Sequence, residues 1–169
     1  MNEETQKICK EHTDLKKIKK EYEIFRAKYN FPEFSFMNEN FEIENIDAEG
    51  TELFIKRIRK HMTEKIFYVL RSLEVFLNAQ NAPLFMFDII KSMTAVEKEH
   101  IRELYKRLAQ YEIEAFGLEA KYDEKKEAEF IVKFCKDWKE ASVDLVQIYG
   151  FMKDGYKKQG KKENKSYLG

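Results

Sequence analysis

Turn-forming residues are scarce in this 169-residue chain, which has six glycines and two prolines. An all-β protein uses such residues to punctuate its strands, and too few are present to serve one. Cysteine occurs only at Cys9 and Cys135, with no Cys-x-x-Cys spacing for a metal or a redox couple, so both are read as reduced intracellular thiols. Net charge is also lacking, because lysine plus arginine and aspartate plus glutamate each total 31. A balanced chain has no global field to draw it to nucleic acid or to an anionic membrane. No apolar run approaches a membrane span, and the opening Met-Asn-Glu-Glu-Thr has neither a basic nor an apolar leader region. The expectation is a soluble, cytoplasmic protein. There is no Gly-rich phosphate loop, and Ser72, Ser92 and Ser142 fall within helical patterns rather than at a strand-to-helix elbow. Nucleotide chemistry and serine catalysis are therefore not indicated.

Charge is abundant, at 37% of residues, and lysine, glutamate, isoleucine, leucine and phenylalanine are common. That mixture suits amphipathic helices, and four helical patterns are visible. The first, over 3–29, carries Ile8, Leu15, Ile18, Tyr22, Phe25 and Tyr29, with Glu11 in the seam position between Ile8 and Leu15. Lys16, Lys17, Lys19 and Lys20 form its outer face. Asn30-Phe31-Pro32 stops it, because the residue before a proline is driven out of the helical region.

The second pattern, over 52–80 with Thr51 as a candidate N-cap, has the cleanest stripe: Ile55, Ile58, Met62, Ile66, Val69, Leu73 and Phe76. Beside it Lys56, Arg57, Arg59, Lys60 and His61 make the best candidate anion-binding patch. Aromatics are not interleaved with these cations, which argues against a nucleic-acid platform. The interval from Arg57 to His61 is also shorter than the signature of HEPN-type ribonuclease modules requires.

The longest pattern runs over 83–118 on Met86, Ile90, Met93, Ile101, Leu104, Leu108, Tyr111, Ala115 and Leu118. Glu97 fills the one gap in this stripe, and His100 follows three residues later. Thr94 to Glu97 also reads as a capping box, which would restart the helix at Thr94. Gly117 is a candidate C-cap and Asp123 a candidate N-cap for the fourth pattern. That pattern, over 124–152, uses Ala128, Ile131, Cys135, Trp138, Leu145, Tyr149 and Met152, with Glu127 favoured by the helix dipole in its first turn.

Two segments fall outside these patterns. The stretch 31–50 is acidic and aromatic, with Phe31, Phe34, Phe36, Met37, Phe41, Ile43 and Ile46, too apolar for a disordered linker. An ordered crossover is expected there, in which Phe41, Ile43 and Asn45 alternate as in a short strand. The stretch 153–169 holds six lysines against Asp154 and Glu163 and has no apolar period, so a disordered basic tail is expected.

The fold expected is thus all-α: a single-domain bundle of four long antiparallel helices over 1–152, followed by the tail. Glu97 and His100 resemble half of the Glu-x-x-His pair that ferritin-like bundles use to hold two metal ions; the second half is absent, because neither His12 nor His61 has a glutamate three residues before it. Counting helical rise from the turns places Asp144, and within about two turns Glu11, at the level of Glu97. The candidate metal ligands are therefore Glu97, His100, Glu11 and Asp144. Helices of such length often accompany association between subunits. The primary expectation is a non-enzymatic interaction or scaffold protein with no cofactor, acting through a protein partner or self-association. The alternative is a ferritin-like metal-binding protein or oxidase using iron or manganese.

Overall fold

The computed structural model describes residues 3–46 and 53–166, with side chains at 15–46, 53–80, 82–84 and 86–157. Among the described residues the protein is all-helical, with six α-helices and no strand. These are α1 (Glu3–Tyr29), α2 (Phe34–Phe41), α3 (Phe54–Leu77), α4 (Leu84–Ser92), α5 (Ala95–Ala120) and α6 (Glu124–Ser166). Among those residues no helix is long and apolar enough to cross a membrane.

Helix ends follow local chemistry. Asn30 closes α1 in the left-handed region at φ 57°, its amide donating to the Arg26 carbonyl at 2.8 Å. Asn tolerates this conformation better than most residues. Asp123 caps α6 as expected: its Oδ1 accepts from the Lys125 and Lys126 amides at 3.1 and 3.2 Å. Gly117, in contrast, lies inside α5, which ends at Ala120. The N-cap assigned to Thr51 lies outside the described residues.

The pattern over 83–118 is two helices, because the chain leaves the helical region at Met93, ψ 136°, and restarts through Thr94. The crossover is ordered through Ile46, but it is α2 followed by a 3₁₀ turn at Ile43–Asn45 rather than a strand. Glu42 at φ 53° separates the two, and the Asn38 side chain accepts from the Glu44 amide at 3.0 Å, which supports a turn.

By compactness the chain forms two units, the first of residues 1–65 and 113–136, the second of 66–112 and 137–169. The first has an aromatic interior. Tyr22 is fully buried, donates its hydroxyl to the Pro32 carbonyl at 2.8 Å, and meets Phe34 edge-on at 5.4 Å between ring centres. Phe41 and Phe130 both pack on Phe134, and Cys135 lies buried with its sulfur 3.3 Å from that of Met37. The crossover residues Phe31, Met37, Phe41, Ile43 and Ile46 are all buried, so this segment is core.

The second unit is more aliphatic. Ile66, Val69, Leu70, Leu73 and Phe76 of α3, Met86, Ile89 and Ile90 of α4, Ile101, Leu104 and Leu108 of α5, and Leu145 and Ile148 of α6 are buried. Tyr149, expected on the core face, is 52% exposed. The buried register of α6 runs Trp138, Ala141, Leu145, Ile148, in steps of three and four, so Ala141 occupies the gap in the expected stripe and Tyr149 falls one position off it.

The boundary expected after Met152 is not an element boundary, since α6 continues to Ser166. Gly155 explains how the chain stays packed beyond it. Gly155 is buried, and a Cβ there would stand 3.1 Å from Ile89 Cγ2 and 3.3 Å from Ser92 Oγ. A larger residue would force α4 and α6 apart. Gly155→Leu is therefore expected to destabilise the protein by about 1 to 3 kcal/mol, read from the urea midpoint at unchanged slope. Stability equal to wild type would show that α4 does not need this close approach.

Candidate functional site

The four candidate metal ligands meet different fates. Glu97 turns back into its own helix start: the Thr94 amide donates to Glu97 Oε2 at 2.6 Å, the Thr94 hydroxyl donates to the same oxygen at 2.9 Å, and the Glu97 amide donates to Thr94 Oγ1 at 3.2 Å. This reciprocal capping box uses the carboxylate locally. His100 and Asp144 do come together, with Nε2 3.6 Å from Oδ1, as their helical levels imply. Asp144 already accepts a charge-assisted bond from Arg107, whose other terminal nitrogen lies 3.8 Å from Glu140. The side chain of Glu11 lies outside those described.

A cation beside a carboxylate weakens its claim on a metal ion, and that is the position of Asp144. Among the described residues no three histidine, cysteine, aspartate or glutamate side chains converge as a ligand set. His100 Nε2 and Arg107 Nε are buried atoms without a hydrogen-bond partner, and the His100 ring stands edge-on to Phe151 at 6.4 Å. The cluster Arg107–Asp144–His100 is thus a partly satisfied polar layer of the second unit.

The candidate anion-binding patch is neutralised from within. Arg59 is 1% exposed and Glu127 is fully buried; they are the two buried charged residues among those described. Arg59 Nε donates to Glu127 Oε2 at 2.8 Å, and Nη2 donates to Glu119 Oε1 at 2.7 Å. Glu119 also faces Lys56 at 3.1 Å and Lys60 at 3.6 Å, and His61 lies 3.5 Å from Glu64. Burial disfavours the Arg59 charge, yet the bonds it donates to Glu127 and Glu119 outweigh this and raise the pKa overall. The patch read from the sequence as free cations is a set of paired ones.

The helical pattern puts Glu127 on the core face of its helix, where the dipole of the first turn alone would account for it. A signal for the pair existed: Arg59 adjoins the stripe residues Ile58 and Met62, and Glu127 adjoins Ala128 on α6. Two opposite charges at the margins of two apolar stripes are stable only if they meet.

The second unit also holds an open cleft of about 580 Å³ lined by Arg71, Glu74, Val75, Leu77, Asn78 and Tyr105. Its charges are satisfied internally. Tyr105 donates to Glu74 Oε1 at 2.9 Å, Arg71 pairs with Glu74 Oε2 at 3.0 Å, and the Arg71 guanidinium stands 4.9 Å above the Phe67 ring. In comparisons with known proteins, no family model, no curated protein and no solved structure matches the chain.

Two outcomes check the buried cluster. Glu127→Ala leaves Arg59 buried with only Glu119 to offset it, and is expected to cost about 3 kcal/mol in chemical denaturation; a loss under about 0.5 kcal/mol would mean that water replaces the partner. The second outcome is an acid window. The hydrogen bond from Arg59 holds the Glu119 carboxyl down to a pKa of about 2, with Lys56 adding to it. A depressed folded-state pKa makes its contribution complete above the ordinary carboxylate range, near 4.5, and lost as pH falls towards about 2. Glu119→Gln is expected to flatten the melting temperature across that window, and an unchanged slope would count against the pairing.

Proposed function

We propose that this protein is a non-enzymatic helical interaction protein, built on the four long helices α1, α3, α5 and α6 as a bundle and working through protein association, including self-association. The observation that supports this reading is the outward placement of apolar side chains at helical spacing. Ile113 and Phe116 on α5 are 70% and 68% exposed, and Val143 and Val146 on α6 are 56% and 71% exposed. Single exposed apolar residues are ordinary, but pairs three apart on one helix face make a continuous surface that another helix can cover. Glu97 and Asp144, two of the residues that suggested chemistry, are engaged in capping and ion pairing, which suits a scaffold.

The second reading, a ferritin-like metal-binding protein or oxidase, is supported by the approach of His100 to Asp144. One preparation distinguishes the two. Light scattering on protein purified without chelator is expected to show a mass that rises with concentration and no stoichiometric iron or manganese. A constant monomer mass up to about 1 mM would contradict the self-association reading. Stoichiometric metal that is lost in His100→Ala would favour the second.

A further inference from the structure

We propose that the outer face of α6 from Lys139 to Asp154 is a self-association surface whose occupant is the same face of a second copy, with the two helices antiparallel. The inference rests on the reading of the chain as an interaction protein and deepens it by naming the surface and the partner.

The face is defined by what lies opposite it. Trp138, Ala141, Leu145 and Ile148 are buried, so the residues on the far side of the helix are Lys139, Val143, Val146 and Gly150. Their spacing of four, three and four residues is that of a coiled-coil seam, yet this seam faces away from the core of its own unit. Valine at two successive seam positions is poorly suited to a solvated helix surface, where straight-chain polar residues hold the helix better.

Gly150 adds a second feature. A Cβ built there would meet nothing within 4 Å, so among the described residues no contact calls for glycine at a mid-helix position where it weakens the helix. Five residues later, Gly155 shows what such a gap serves in this protein, the close approach of α4. Gly150 presents the same gap outward, and a neighbouring helix can approach closely over it.

The charges that bracket the seam select the occupant. Lys139-Glu140 and Lys153-Asp154 lie at equal distances from the midpoint between Val146 and Gln147. An antiparallel pair related by a two-fold axis at that midpoint sets Lys139 level with the partner's Asp154 and Glu140 level with the partner's Lys153. It also sets Val143 against the partner's Gly150. In a parallel pair each of these charges would instead meet its own like. Glu140 keeps its side chain 81% exposed, with Arg107 3.8 Å away on its own chain, and Lys153 and Asp154 are exposed. The face is thus self-complementary in the way an isologous dimer contact requires. Four turns of one helix fall short of the roughly 1,200 Å² that stable complexes bury, so the association is weak and concentration-dependent.

Sedimentation equilibrium of the full chain from about 10 μM to about 1 mM tests this with three variants. Wild type is expected to shift from monomer towards dimer. Val146→Glu and Asp154→Lys are each expected to weaken the dimer by about tenfold or more, with circular dichroism and melting unchanged because both residues are exposed. Lys139→Asp combined with Asp154→Lys restores the opposite charges across the two-fold and is expected to recover dimerisation. A wild-type dimer that Val146→Glu leaves intact overturns this surface while the broader interaction reading stands. Loss of dimer in Val146→Glu without recovery in the double charge swap overturns the antiparallel pairing. A wild type that stays monomeric throughout overturns both this inference and self-association.

Discussion

Two charges with no access to water constrain the first unit more than any other feature. Arg59 and Glu127 sit within its interior, and each offsets part of the desolvation cost of the other through a 2.8 Å bond. Neither can be displaced towards the surface without breaking the apolar register around it, since Ile58 and Met62 flank Arg59 and Ala128 follows Glu127. Removing either partner would leave the other as an uncompensated buried charge, which is strongly destabilising. Glu119 extends the network to the surface, where Lys56 and Lys60 share its carboxylate.

The same pairing of charge takes up the carboxylates that suggested chemistry and have a described side chain. Each candidate carboxylate with a described side chain is used where it stands, Glu97 by the Thr94 cap and Asp144 by Arg107, and in the cleft Glu74 is held by Tyr105 and Arg71. Beside the unpaired His100 Nε2 and Arg107 Nε, the described residues leave apolar side chains uncovered: the outward valines of α6 and the Ile113–Phe116 pair of α5. These exposed apolar side chains are the basis of the proposed reading as an interaction protein.

Much of this was legible from periodicity. The α3 stripe from Ile55 to Phe76 is buried at every position named from the sequence, and Ile101 to Leu118 of α5 likewise, because a helix with one apolar face has a single way to hide it. The capping box was legible too, since Thr94 and Glu97 have the required spacing. The limits have physical causes. The alternation of Phe41, Ile43 and Asn45 fits a strand as well as it fits the end of one helix and the turn that follows, and only the left-handed Glu42 decides between them. Arg59 read as a surface cation because the helical pattern gives its angle but not the carboxylate waiting 68 residues away. The close approach of α4 to α6 at Gly155 rests on a missing side chain and so leaves no periodic mark.

The claim at the centre of this account is that Arg59 and Glu127 stabilise the fold jointly. A double-mutant cycle of Arg59→Met, Glu127→Leu and the two combined, with unfolding free energies from urea titration, measures that coupling directly. The account predicts a coupling energy of about 2 to 3 kcal/mol, with the double variant more stable than either single one. Additive losses, with coupling under about 0.5 kcal/mol, would contradict it.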